Sequence, residues 1–157
     1  MCLVFSIKDK KQKTVTIKNK YLFFISIQGS YQNFEISLFN HKNILTSIQK
    51  ETSRASSVLI PEIENILKRN NISLDNISFI AVDQGPGAFT SLRVTITMVN
   101  AIAFAKNIPL VGVDGLEALA KETIDSIATK KLKIQPTLLV SLLNAYNKEV
   151  FYNLLIK

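Results

Sequence analysis

Residues 13–18 (Lys-Thr-Val-Thr-Ile-Lys) alternate polar and apolar side chains, the period-two pattern of a strand with two unlike faces. Tyr21 to Ile27 is a fuller apolar run, as a central strand requires. Gln28-Gly29-Ser30 marks a turn, and Phe34 to Phe39 reads as the next strand. Asn40 to Asn43 is turn-like, and Ile44 to Ile48 gives a third strand in this group. Short turns between these strands predict an antiparallel meander. Residues 1–20 form an extra hairpin or a loosely held arm in this reading.

The period then lengthens. Val58, Leu59, Ile63, Ile66 and Leu67 recur at helical spacing, with Ser56 or Ser57 placed to cap. Pro61 has no N–H and crowds the preceding turn, so the helix must place it near its first turn. Asn70-Asn71 ends the helix. Ile77 to Val82 is a short apolar strand, and Gly85-Pro86-Gly87 turns the chain into a long helix over residues 89–106. A strand over Ile108 to Val113, a helix over Leu116 to Ala128, and strands over Leu138 to Leu143 and Val150 to Ile156 complete the pattern. The order βββ-α-β-α-β-α-ββ predicts an α/β fold with a mixed sheet and helices on its faces. The last two strands read as the opening of a second meander.

Composition narrows the function classes. The 157 residues are 47% hydrophobic, enough for one real core. Mean hydropathy is +0.20, but no apolar run approaches the roughly 20 residues of a membrane span, so no membrane role is expected. The opening Met1-Cys2-Leu3-Val4-Phe5 is too short for a signal sequence. A lone Cys2 forms no internal disulfide and fits a cytoplasmic location. Net charge is +7, concentrated in Lys8, Lys10, Lys11, Lys13, Lys18, Lys20 and in Lys130, Lys131, Lys133. Such clusters either attract RNA or are solvated loop lysines. The Lys8–Lys13 run carries no aromatic residue, and arginines are few.

Gly85-Pro86-Gly87, between a buried strand and a helix, is either a phosphate-cradling loop or an ordinary tight turn. No Walker lysine and no G-x-G-x-x-G accompanies it. Asp83 sits at the end of the preceding strand, where sites of open α/β sheets gather or where a turn is capped. Asp114, Glu117 and Glu122 are further carboxylates. The single His41 lies in a predicted turn, which leaves no His/Cys pair for a soft metal and no partnered histidine for a triad. On the 89–106 helix, Phe89, Leu92, Ile96, Val99 and Ala103 form one apolar stripe, and Val94, Met98, Ala101 and Ala105 a second. A one-sided surface helix shows a single stripe. With the 58–67 helix, which adds Ile60 and Leu67 off its main line, this one presents surplus apolar surface. Either the two helices cover each other or they form an association face.

Gly85-Pro86-Gly87-Ala88-Phe89-Thr90-Ser91-Leu92-Arg93 resembles the GPGSFTGLR signature of the TsaB (YeaZ) family, in the glycoprotease-like branch of the actin-like/Hsp70-like ATPase superfamily. Ile108-Pro109-Leu110-Val111-Gly112-Val113-Asp114-Gly115-Leu116-Glu117-Ala118-Leu119-Ala120 resembles that family's IPLVGVSSLEALA segment, and Val58-Leu59-Ile60-Pro61 its LLP pattern. The similarity is clear over about residues 55–120. Gln28-Gly29-Ser30 stands where the family carries Asp-Thr-Ser, Ala55 where it often has His, Ser91 where it has Gly, and Asn144-Ala145-Tyr146 where it has Asp-Ala-Arg. The lost groups are those that would hold Mg²⁺ and phosphate in ATPases of this fold.

The resemblance implies an actin-like/RNase H-like first lobe (βββαβα) over residues 21–113. An extension over 1–20 precedes it, and a partial second lobe over 114–157, shorter than the family's, follows. It implies a non-catalytic scaffold subunit pairing with a TsaD homologue through Leu59, Ile60, Ile63, Leu67, Arg93, Val94, Thr97, Met98 and Ala101. The partner transfers threonylcarbamoyl to N6 of adenosine 37 in tRNA, and a TsaE-like ATPase joins the complex. Alone, the chain would pair with itself through the same face. Gly85, Pro86 and Gly87 would be a degenerate phosphate loop. The chain would hold no cofactor or metal, ATP and Mg²⁺ belonging to the partner, and would meet tRNA only indirectly. The rival readings are a nucleotide-binding enzyme using the 85–87 loop and a shortened homo-oligomeric relative.

Overall fold

The computed structural model describes residues 22–29, 33–51, 55–129, 138–146 and 148–156. The strand predicted over 13–18, the possible arm over 1–20 and both lysine clusters lie outside them. The described chain runs β1 (Phe23–Gly29), β2 (Asn33–Asn40), β3 (Asn43–Glu51), α1 (Ala55–Arg69), a 3₁₀ turn (Leu74–Asn76), β4 (Ile77–Asp83), α2 (Phe89–Lys106), β5 (Leu110–Val113), α3 (Gly115–Thr129), β6 (Leu138–Tyr146) and β7 (Glu149–Ile156). The expected order of strands and helices is present. Gly29, expected in a turn, closes β1 opposite Phe34. Pro61 lies one turn deeper in its helix than expected, because α1 starts at Ala55.

One sheet has the order β3-β2-β1-β4-β5. The meander β1–β3 is antiparallel, whereas β4 and β5 join parallel to β1 through the crossovers of α1 and α2. Alternation fixes its inner face. Ile25, Ile27, Phe34, Ile36 and Leu38 are at most 1% exposed and pack with Leu59, Ile63, Ile66 and Val99 of the helices. Each such side chain contributes about 1.5–3 kcal/mol when fully buried. A register shift between Phe23 and Phe24 puts Ile77 and Ile80, rather than a strict alternation, inside. On the opposite face Phe24 stacks between Phe39 and Phe79, both at 4.5 Å between ring centroids.

Both sheet-covering helices end on an asparagine. Asn71 and Asn107 adopt left-handed φ of 53° and 52°. Ile72 N–H then bonds Leu67 O at 3.0 Å, and Ile108 N–H bonds Ala103 O at 2.9 Å. This closes the last turns as glycine commonly does elsewhere. The Asn70 side chain adds bonds to Ile66 O and Thr46 Oγ1, both 2.8 Å, tying α1 to β3. β6 and β7 form a separate antiparallel pair against which α3 packs.

Candidate functional site

The Gly-Pro-Gly turn begins where β4 ends. Asp83 Oδ1 accepts the Gly85 N–H at 2.8 Å, so this carboxylate caps the turn. Gly85 then takes φ 96°, which only glycine adopts freely. Gly85 O accepts the Gly115 N–H at 2.8 Å, and Val113 O accepts the Gln84 N–H at 2.8 Å, locking the turn to the start of α3. There Asp114 Oδ1 accepts the N–H groups of Leu116 and Glu117, both at 2.9 Å. Asp114 is thus the N-cap of α3. Burial holds the Asp83 carboxyl above the usual carboxylate value of 3.8. The Gly85 N–H pulls it the other way, and the nearby Asp114 charge adds to the rise.

α2 starts at Ala88, which supplies no side-chain cap, so its first amides lack a capping oxygen. Thr95 Oγ1, fully buried and close to Gly29, also has no hydrogen-bond partner among the described residues. These features alone resemble an anion site. The space beside the turn is nevertheless filled. A Cβ built on Gly85 would meet Leu92 Cδ1 at 2.8 Å, and one on Gly87 would meet the same methyl at 3.3 Å. Leu92 therefore packs into the hollow where a phosphate cradle would need room. Asp83, the carboxylate at the exit of β4, is occupied with its own turn. The residues present do not fit a nucleotide with its metal. Among the described residues no group of three His, Cys, Asp or Glu side chains is placed to hold a metal ion. Glu117 and Glu122 are exposed on α3. His41 lies in the β2–β3 turn at φ 53°.

The helix pair divides the predicted interface residues. Leu59, Ile63 and Leu67 are 0%, 3% and 6% exposed within the chain's own core. They face the sheet, which corrects their assignment to an outward surface. Val94 and Met98 are half-buried and pack on the same core. Ile60, Arg93, Thr97 and Ala101 do face outward. Phe89, placed by its spacing on one of the two apolar stripes, is 67% exposed, and Phe104 is 92% exposed. The buried line of α2 runs instead through Thr95, Val99 and Ala103. The outward stripe is thus Phe89, Arg93, Thr97, Ala101 and Phe104, at the three- and four-residue steps that share a helix face. Arg93 lies over the Phe89 ring, with Cζ 3.8 Å from the centroid, a cation–π contact that steadies both.

The family model described as TsaD, tRNA N6-adenosine threonylcarbamoyltransferase, matches residues 43–153. The tRNA threonylcarbamoyladenosine biosynthesis protein TsaB of Buchnera aphidicola subsp. Baizongia pistaciae is 39% identical over 70 residues, covering 44% of this chain and 32% of that protein. The protein of the same name from Buchnera aphidicola subsp. Acyrthosiphon pisum is 23% identical over 128 residues, covering 82% of this chain and 55% of its own length. The chain belongs to the TsaD family. YeaZ from Pseudomonas aeruginosa shares the fold of this chain, with a TM-score of 0.65 and 21% identity over 87% of this chain and 61% of that one. The fold is accordingly actin-like/RNase H-like. The chain spans about half the length, or less, of the curated relatives it matches.

Sequence reasoning missed Phe89 and Phe104 as outward residues. The cue available was their size: two aromatic rings sit among alanines and threonines on a helix whose buried line holds smaller side chains. No helix among the described residues is long and apolar enough to cross a membrane.

Proposed function

We propose that this chain is a non-catalytic partner subunit of the assembly that adds threonylcarbamoyl to N6 of adenosine 37 in tRNA. It pairs with a TsaD-type transferase through the outward faces of α1 and α2. A TsaE-like ATPase joins through the complex, and tRNA contacts this chain only indirectly. In this reading residues 21–113 form the first lobe and 114–157 the start of a second, in a cytoplasmic protein. The observation that carries the pairing is the outward stripe on α2, with two phenylalanines exposed at 67% and 92%. Exposed aromatic rings anchored beside an arginine are the composition of interface hot spots. Family membership supports the reaction to which the pairing contributes. The hollow filled by Leu92 supports a supporting rather than a nucleotide-consuming role.

The test is pairing with the TsaD homologue of the same source, followed by calorimetry. Phe104→Glu is expected to weaken pairing at least tenfold, since a central aromatic anchor is commonly worth about 2 kcal/mol or more. Ile44→Glu, at an exposed position of β3, is the control and should pair as the parent does. Unchanged pairing of both Phe89→Glu and Phe104→Glu would remove this face from the complex.

A further inference from the structure

Arg93 is the charged member of the outward stripe on α2. The 18 residues of this helix include no Asp or Glu, and its first amides have no capping side chain, so its N-terminal end is positive along the backbone as well. The carboxylates nearby are already engaged. Glu62 of α1 pairs with Lys50 at 3.3 Å, Glu64 with Lys68 at 3.8 Å, and Asp75 with Lys106 at 3.0 Å. Among the described residues Arg93 has no ion-pair partner. Its contact is the Phe89 ring, whose centroid lies 3.8 Å from Cζ. A guanidinium resting on a ring keeps its N–H edges for acceptors in its own plane. Arg93 is exposed, so in the free chain water meets those donors.

We infer that Arg93 receives a carboxylate of the TsaD-type transferase, and that this ion pair selects the partner. The inference rests on the pairing proposed above and adds the chemistry that pairing requires of the other side. Docking strips water from a stripe whose other members are Phe89, Thr97, Ala101 and Phe104. A guanidinium desolvated there without an anion opposes association, because it loses its hydration and gains no partner. Backbone carbonyls take single N–H bonds, whereas the planar fork matches both oxygens of a carboxylate at once. A nucleic acid phosphate is the poorer fit. Surfaces that read phosphates gather several cations, and this stripe has one, between two exposed phenylalanines. The contact with Phe89 holds the guanidinium in place before docking, so less side-chain freedom is lost on binding. Arg93 thereby favours a transferase with an acid at the matching position and rejects partners with a cation or an apolar residue there.

Calorimetry of the full 157-residue chain with the TsaD homologue of the same source tests it. Arg93→Gln is expected to weaken pairing at least about tenfold, and Arg93→Glu further. Arg93→Lys, which keeps the charge and loses the fork, should fall between the parent and Arg93→Gln. Raising salt from about 0.1 to about 0.5 M should weaken the parent more than Arg93→Gln, which has no ion pair to screen. With Arg93→Lys, a water-soluble carbodiimide should join the introduced amine to an Asp or Glu of the transferase, in an amide located by mass spectrometry. Replacing that acid with lysine should restore pairing to Arg93→Glu. If Arg93→Gln pairs as tightly as the parent while Phe104→Glu is weakened, the carboxylate is overturned and the paired face stands. If neither variant weakens pairing, or the parent chain does not bind the transferase, both readings fall. The inference is also overturned if Arg93→Lys gives no crosslink to the transferase, or if Arg93→Gln pairs normally and the complex binds tRNA less tightly, which would assign the guanidinium to a phosphate.

Discussion

Replacing Gly85 with alanine isolates the two constraints on the Gly-Pro-Gly turn. At φ 96° a residue with a Cβ is strained, at a cost of about 1–3 kcal/mol. The new Cβ would also stand 2.8 Å from Leu92 Cδ1, against an optimum of about 3.5–4.0 Å between carbons. Leu92 must move, and overpacking of this kind costs a further ~1–3 kcal/mol. The sum is about 2–6 kcal/mol, a large part of the 5–15 kcal/mol typical of a domain. Urea unfolding followed by circular dichroism reads it directly, and the midpoint of thermal unfolding should fall by roughly 5–15 °C. Gly87→Ala is the internal comparison. Its Cβ needs only a few tenths of an ångström from Leu92, at 3.3 Å, and it has no positive φ. It should cost less than about 1 kcal/mol. Combining Gly85→Ala with Leu92→Ala removes the overlap and keeps the backbone strain, so the pair should couple by about 1 kcal/mol or more. Equal costs for the two glycine variants would refute this account of the turn, as would a loss below about 1 kcal/mol for Gly85→Ala.

Asp83→Asn should gain on the parent as pH rises. The folded chain holds the Asp83 proton more tightly than the unfolded one, so the parent loses stability as pH climbs from about the ordinary value of 3.8 through the raised one. Urea midpoints from pH 3.5 to 7 should show a gap widening in the variant's favour; a constant gap contradicts it. Thr95→Val replaces a buried hydroxyl that has no partner among the described residues by a methyl of the same shape and should stabilise by about 1 kcal/mol. A loss of similar size in denaturant melts would mean the hydroxyl is satisfied. Asp114→Ala should cost about 1 kcal/mol by uncapping α3, and Asp114→Ser should recover most of it in the same assay.

Much of the architecture was readable from periodicity and punctuation. The limits of α2 agree with the expectation because a Gly-Pro-Gly turn opens it and Asn107-Ile108-Pro109 closes it. The meander was legible because Ile25, Ile27, Ile36 and Leu38 share one face at period two. The separation of inside from outside on the helices was not. α2 is apolar nearly all round, so spacing gives no preferred direction, and its buried line passes through the polar Thr95. Leu59, Ile63 and Leu67 looked available for a partner only because the sheet's demand for cover is invisible in α1 alone. Asp83 offered a cap and a site reading alike, whereas Asp114 stood only as a further carboxylate; hydrogen bonds from Gly85, and from Leu116 and Glu117, make both of them caps. Val140, Leu142, Tyr152 and Leu154 read as ordinary strand residues; their exposure depends on which elements lie over them.

The three stacked phenylalanines set an order of events during synthesis. Phe24 and Phe39 belong to neighbouring strands of one hairpin and can meet as soon as both have emerged. Phe79 follows about forty residues after Phe39, and parallel pairing with the still more distant β1 is slow because a long loop must close first. Until it docks, one edge of the nascent meander and one ring face stand open, a template for pairing with other chains. Loss of the third ring would therefore be felt first as lower soluble yield, before any change in the finished protein's activity.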